Sequence, residues 1–218
     1  MKHLIAPSLL AADKTKLQDE IDLVQNLGAE WLHWDVMDGI FVPNKSYTVD
    51  DVKKYSKTHK MFNDVHIMVA DPKYWAPLFV EAGADLVTFH IEAVEYCPKC
   101  ANKIIDALHE ANCKAGISIK PCSSVSDIEP FLKKLDLVLV MSVEPGKGGQ
   151  KFMPEALKKI AQLRKIIDEN NYHCLIEVDG GINAETGALC RQAGADVLVA
   201  GSYLFGHDDI ERRIESLR

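Results

Sequence analysis

The same join recurs three times along this chain: LGAEWLHWD at 27–35, AGADLVTFH at 82–90 and AGADVLVAG at 193–201. In each, an amphipathic stretch stops at a glycine, an alanine and an acid follow, and an apolar run starts. Glycine takes the left-handed conformation that closes a helix more readily than any other residue. Each join therefore reads as helix, stop, strand, one αβ unit used repeatedly. Further apolar runs at 3–8, 62–68, 114–119, 137–142 and 174–179 bring the strand count to eight. The runs are nearly continuous rather than alternating, as in parallel strands buried on both faces.

Helical spacing fills the gaps. Asp13 is placed to cap a first helix whose apolar positions are Leu17, Ile21, Val24 and Leu27. Others are expected at 71–82, 98–112, 125–134, 154–170, 184–193 and 208–217, with the weakest pattern near 49–56. Eight βα units in 218 residues predict an α/β protein, a single (β/α)8 barrel spanning 1–218 as one domain. A doubly wound open sheet is the alternative.

Composition excludes several partners. The net charge of -7 leaves no basic stripe for a nucleic acid. No apolar segment approaches the roughly 18 residues of a membrane span. The start, MKHLIAPSLLAAD, imitates a secretion signal, but Pro7 and Ser8 break the run and Asp13 closes it, so a first strand is expected. Four of the six cysteines sit in or beside apolar segments, a usage suited to a reducing, cytoplasmic setting rather than a disulfide framework. The Cys97-Pro-Lys-Cys100 pair has no second CxxC and is assigned no function.

The chemistry collects at strand ends. In WLHWDVMDGIFVPN, residues two apart on an extended strand face the same side, so His33 and Asp35 project together, spaced to hold one metal ion. His66 in FNDVHIM and Asp179 in IEVDGG end two later strands. One strand-end histidine is an ordinary structural residue; two His and two Asp converging on the C-terminal rim, where such barrels keep their active sites, make a site. Mixed imidazole and carboxylate ligands suit Zn²⁺, Fe²⁺, Mn²⁺ or Co²⁺ without choosing among them. Glycine loops follow the last three strands: Gly146, Lys147, Gly148 and Gly149 after the sixth, Gly180-Gly181 after the seventh, Gly201-Ser202 after the eighth. Their backbone N–H groups can close around an oxyanion, which points to a small phosphorylated substrate.

Together APSLLAAD, HWDVMDGIFVPN, DVHIMV, FHIEA, MSVEPGKGGQKF, IEVDGGI and VAGSYLFG resemble the ribulose-phosphate 3-epimerases over nearly the whole chain. The resemblance implies a ribulose-phosphate-binding barrel that interconverts D-ribulose 5-phosphate and D-xylulose 5-phosphate, in the pentose phosphate pathway, with one divalent metal ion per chain. By it His33, Asp35, His66 and Asp179 are metal ligands, and Asp35 and Asp179 are also the acid/base pair. Ser8 and His66 would touch the substrate, and the three glycine loops with Lys147 and Ser202 would hold its phosphate. Met37, Met68 and Met141 would line the reacting centre, and the chain would form a homo-oligomer. Residue chemistry agrees on the pair, since inverting a carbon beside a ketone needs a proton carrier on each face and an enediolate between.

Three stretches depart from the family pattern. Lys45-Ser46-Tyr47-Thr48-Val49-Asp50 stands where an apolar residue and Gly-Pro are usual, Lys147 where a bulky apolar residue is usual, and Lys120 where Asn is common. They line the mouth, so they bear on substrate choice and loop closure. The alternatives are a 3-epimerase of a hexulose phosphate such as allulose 6-phosphate, a phosphate-barrel decarboxylase, and a barrel that binds a sugar phosphate without turnover. The decarboxylase would want an Asp-x-Lys pattern that His33-Trp34-Asp35 lacks.

Overall fold

The computed structural model describes residues 3–218 and contains all eight strands. They are β1 (Leu4–Pro7), β2 (Trp31–Met37), β3 (Phe62–Met68), β4 (Leu86–His90), β5 (Lys114–Ile119), β6 (Leu137–Met141), β7 (Leu175–Asp179) and β8 (Val197–Ala200). All seven strand pairs are parallel, in the order β1-β8-β7-β6-β5-β4-β3-β2. A parallel bridge from Ser8 to His33 closes β1 onto β2, so the sheet is a (β/α)8 barrel. The closing bridge is made by two residues of the expected site.

Around it lie α1 (Leu17–Asn26), α2 (Val49–Tyr55), α3 (Pro72–Ala82), α4 (Pro98–Glu110), α5 (Ala156–Glu169), α6 (Ala184–Ala193) and α7 (Ile210–Ser216). The helix expected at 125–134 is instead two 3-10 turns, Val125–Asp127 and Glu129–Phe131. Pro130 has no N–H for the preceding turn, and its ring would crowd a carbonyl four residues back. Asp13 also caps differently from expectation. It accepts the Thr15 N–H at 2.9 Å and opens a 3-10 turn, so α1 starts only at Leu17.

The three joins share one geometry. Gly28, Gly83 and Gly194 end their helices at φ of 80°, 102° and 112°. The acid two residues later has a task that pattern alone did not suggest. Asp85 accepts the Asn63 N–H at 2.7 Å, Asp196 the Ile176 N–H at 2.8 Å, and Glu30 the Ile5 N–H at 3.3 Å. Each carboxylate thus occupies a strand-start donor at the N-terminal rim, the end of such barrels that serves stability.

Two apolar cores follow from the strand geometry. Outward residues, among them Trp34 and Phe89, pack with Phe79 and Phe131 from the outer layer. Inward residues Trp31, Leu86, Leu137, Leu139 and Val197 fill the lower barrel. Above this floor the inward positions turn polar: His33, Asp35, Asp64, His66, Thr88, His90, Ser118 and Glu177 are all buried.

Where β5 lacks a following helix, Lys159 of α5 holds the connection. Its ammonium donates to the carbonyls of Lys120, Pro121 and Ser123 at 2.9, 2.7 and 2.6 Å. Hydrogen bonds to a charged group contribute about 1.5–3 kcal/mol. Lys159→Met should therefore cost about 2 kcal/mol in urea unfolding; an unchanged midpoint would mean water replaces the ammonium freely.

Cys97 and Cys100 are joined as a disulfide, while Cys113, Cys122, Cys174 and Cys190 are free. The bridge falls on the one CxxC pair, and the four cysteines outside it are unbridged. Positions three apart on the first turn of α4 bring the two Cα atoms to 5.3 Å, within bridging range. Among the described residues no helix is long and apolar enough to cross a membrane.

Candidate active site and metal centre

The register of β2 against β3 sets His33 opposite Asp64 and Asp35 opposite His66. The four inward side chains form a two-by-two block of alternating imidazole and carboxylate. Asp35 Oδ1 lies 3.2 Å from His66 Nδ1 and 3.4 Å from His33 Nε2. The Ser8 hydroxyl donates to Asp35 Oδ2 at 2.6 Å, across the seam that closes the barrel. Asp179 arrives from β7, with β8 and β1 between it and β2. One ligand atom from each of His33, Asp35, His66 and Asp179 lies within 4.8 Å of the others.

Two features fit this cluster to a divalent cation. His33 Nε2 is buried with no hydrogen-bond partner. The interior also concentrates negative charge. Burial disfavours the Asp35 anion, yet the His33 and His66 imidazoles outweigh it and hold the carboxyl well below its usual range. For Asp179, burial and then the Asp35 charge push the carboxyl up to about 7. Burial likewise opposes a charge on His33, but Asp64 and Asp35 raise it well above a normal imidazole. Two imidazoles and two carboxylates in one largely buried pocket are a donor set that Zn²⁺, Fe²⁺, Mn²⁺ and Co²⁺ can each use.

Over the cluster opens a cleft. Asp35, Asp179 and Ser8 line it, together with Met37, Met68 and Met141 as its apolar patch. All the expected glycine-loop residues line it as well: Gly146, Lys147, Gly148, Gly149, Gly180, Gly181, Gly201 and Ser202. At Gly181, with φ of 63°, an added Cβ would lie 2.5 Å from the Phe152 nitrogen, so no side chain fits between these loops. After Gly201 the chain turns, with Leu204 N–H bonded to Gly201 O at 2.8 Å, which leaves the Ser202 and Tyr203 N–H groups outside the turn. The Ser142 hydroxyl fixes the end of β7 by donating to Gly180 O at 2.7 Å. Gln150 braces the loop after β6 through the carbonyls of Glu144 and Lys147, both at 2.7 Å.

The departures at the mouth have structural work. Ser46 Oγ donates to the Asp35 carbonyl at 2.5 Å, and the Tyr47 hydroxyl to Leu9 O at 2.6 Å. Thr48 caps α2 in a reciprocal pair with Asp51. The divergent segment thus anchors the end of β2. Lys120 places its ammonium 4.0 Å from the Phe41 ring centroid, and Phe41 lies 4.9 Å from the His90 ring. This stack covers the side of the mouth above β4 and β5, which leaves the cleft to β1, β2, β3 and β6 to β8. Lys147 stays exposed on the cleft wall.

Four residues beyond the expected ligand set belong to this centre: His90 and Glu92, polar residues of the strand-end rim that were given no role, and Asp64 and Glu177, which sequence reading missed. His90 Nε2 lies 2.9 Å from His66 Nε2, and His90 Nδ1 lies 3.1 Å from Glu92 Oε2. Glu92 also accepts the Lys120 N–H at 2.8 Å and the Ser123 hydroxyl. Burial lowers His90 to about 4, and although it opposes the Glu92 anion, His90 and Ser123 lower that carboxyl to about 2. The line therefore runs from a ligand candidate through a neutral imidazole to an anion. Asp64 and Glu177 lie one pleat below His66 and Asp179 on their own strands, both fully buried. Burial and the Asp64 charge push Glu177 well above a normal carboxyl. The available signal was the spacing of two: 33 and 35, 64 and 66, 177 and 179 are polar pairs facing one side of a strand.

With this geometry in hand, the comparisons are specific. A model of the "Ribulose-phosphate 3 epimerase family" matches residues 4–205. A Mycobacterium bovis protein named ribulose-phosphate 3-epimerase is 45% identical over 215 residues, covering 99% of this chain and 91% of its own. A Bacillus subtilis protein of the same name is 42% identical over 215 residues, covering 98% of this chain and 97% of its own. Among solved structures, 3-keto-L-gulonate-6-phosphate decarboxylase from Vibrio cholerae superposes with a TM-score of 0.74 at 16% identity, over 100% of this chain and 96% of its own. That likeness establishes the fold alone.

Proposed function

The chain belongs to the ribulose-phosphate 3-epimerase family and is an isomerase, and we propose that it interconverts D-ribulose 5-phosphate and D-xylulose 5-phosphate through an enediolate. The observation that carries this reading is the convergence of His33, Asp35, His66 and Asp179 beneath a cleft walled by three glycine loops. The 218 residues act in it as one domain of a cytoplasmic homo-oligomer.

A divalent ion held by His33, Asp35, His66 and Asp179 would polarise the ketone and steady the negative charge that grows on the substrate's oxygens. The residues supply the proton chemistry. Asp35, held ionised by its two imidazoles, takes the C3 proton from one face. Asp179 returns a proton to C3 from the other face. The reverse reaction exchanges their roles, and each carboxyl re-equilibrates with solvent through the open cleft. Ser8 steadies Asp35 and lines the cleft where the substrate would bind, while His66, buried behind that lining, would act on the substrate through Asp35 and the ion. The loops carrying Gly146 to Gly149, Gly180, Gly181, Gly201 and Ser202 hold the phosphate by backbone N–H groups, and the methionines keep water from the carbanion.

The direct test is purified protein with ribulose 5-phosphate and a coupled readout of xylulose 5-phosphate, beside allulose 6-phosphate. The pentulose phosphate should turn over with the higher kcat/KM; turnover of the hexulose phosphate alone would reassign the substrate. Lys147 adds one charge to the phosphate wall. Lys147→Ala should raise KM about 5-fold at low salt, the scale of one exposed ion pair near 1 kcal/mol, with kcat kept. The variant's KM should also respond less to added salt. An unchanged KM would make Lys147 a solvated loop charge.

A further inference from the structure

Both histidines of the metal cluster turn a second nitrogen away from it, and they do so differently. His66 presents Nδ1 toward Asp35 and passes Nε2 to His90. His33 presents Nε2 toward Asp35, and its Nδ1 lies 2.5 Å from Asp64 Oδ2. Neither ring has solvent contact. An imidazole can give a metal a lone pair on one nitrogen only when its proton sits on the other, and in a dry interior the hydrogen bond to that other nitrogen decides which tautomer forms. For His33 that decision falls to Asp64.

We infer that Asp64 is a positioning residue for the metal centre: it takes the Nδ1–H of His33, fixes the ring, and turns the Nε2 lone pair to the ion. The inference rests on the metal-centre reading above. Asp64 stands on β3 directly opposite His33, so both side chains share one inward layer and the contact needs no loop to form. Its Oδ2 meets the ring nitrogen other than the one His33 presents to Asp35, and Asp64 is not among the four residues, His33, Asp35, His66 and Asp179, that converge. Glu177 Oε1 is 3.9 Å from the same nitrogen, beyond hydrogen-bond reach, so Asp64 is the acceptor. A carboxylate behind a ligand histidine also raises its basicity, and losing such a partner typically costs 10–100-fold in metal affinity.

The test is Co²⁺ titration of metal-stripped protein, read by visible absorption and by chelator competition. Wild type should bind one Co²⁺ per chain. Asp64→Ala should bind it 10–100-fold more weakly, while Asp64→Asn, which still offers an oxygen to Nδ1–H, should recover most of the loss. Ser118→Ala removes another buried polar group of the barrel interior and should leave the affinity unchanged. Should Asp64→Ala not fold, wild type itself decides the matter. In Zn²⁺-loaded protein with ¹⁵N-labelled histidine, His33 must carry its proton on Nδ1, and the opposite tautomer overturns the inference. Equal affinity in wild type and Asp64→Ala overturns it alone. Two ions per chain, one lost in Asp64→Ala, would make Asp64 a ligand and overturn it as well. Wild type that takes up no Co²⁺ overturns the metal reading and the inference with it.

Discussion

Stripping the protein with a strong chelator should abolish the interconversion of ribulose 5-phosphate and xylulose 5-phosphate, and one equivalent of a single divalent ion should restore it. The expectation rests on four donors within 4.8 Å of one another, one of them a buried imidazole nitrogen without a hydrogen-bond partner. Zn²⁺, Fe²⁺, Mn²⁺ and Co²⁺ are to be compared, since the donor set admits each. Thermal unfolding gives a readout independent of turnover. An ion that binds only the folded chain adds about 2.7 kcal/mol at a hundred times its Kd. Full activity in rigorously metal-free protein would refute the metal-dependent mechanism.

Asp179→Asn should lower epimerisation by at least about 10²-fold, the lower range for general acid–base catalysis. Asp35 and Asp179 come from strands separated by β8 and β1, so they approach the substrate carbon from different sides. Their environments push the two carboxyls apart, Asp35 well below its usual range and Asp179 up to about 7. In heavy water the wild type should place deuterium at C3 of the product. The variant should keep exchange of the C3 proton of one epimer, through Asp35, while losing its conversion to the other. Metal content must be measured in the same sample, because loss of the ion would mimic the result. A metal-loaded variant that epimerises at the wild-type rate would end the two-carboxylate mechanism.

Much of this was legible in the linear chain because it depends on local rules. Glycine joins and continuous apolar runs set strand number, and the strand limits agree with the structure to within a residue or two. The rim location of His33, Asp35, His66 and Asp179 followed from period-two alternation plus one rule of barrel architecture. Local rules also have a local failure: the helical spacing at 125–134 is real, but Pro130 breaks it into two short turns.

Tertiary structure decided what depends on register and closure. Whether His33 stands beside Asp64, and Asp35 beside His66, is a matter of how β2 slides on β3, and a slip of one residue would turn every side chain to the other face. Ser8 reaches Asp35 only because β1 closes on β2, 27 residues away in sequence. The lower pair, Asp64 and Glu177, looked like ordinary strand residues. Carboxylates gain meaning from the dielectric around them, and burial is a property of the closed barrel rather than of any segment. The chain's alternation thus determined which residues face inward, and closure of the barrel decided which of them share a proton, a hydrogen bond or a metal ion.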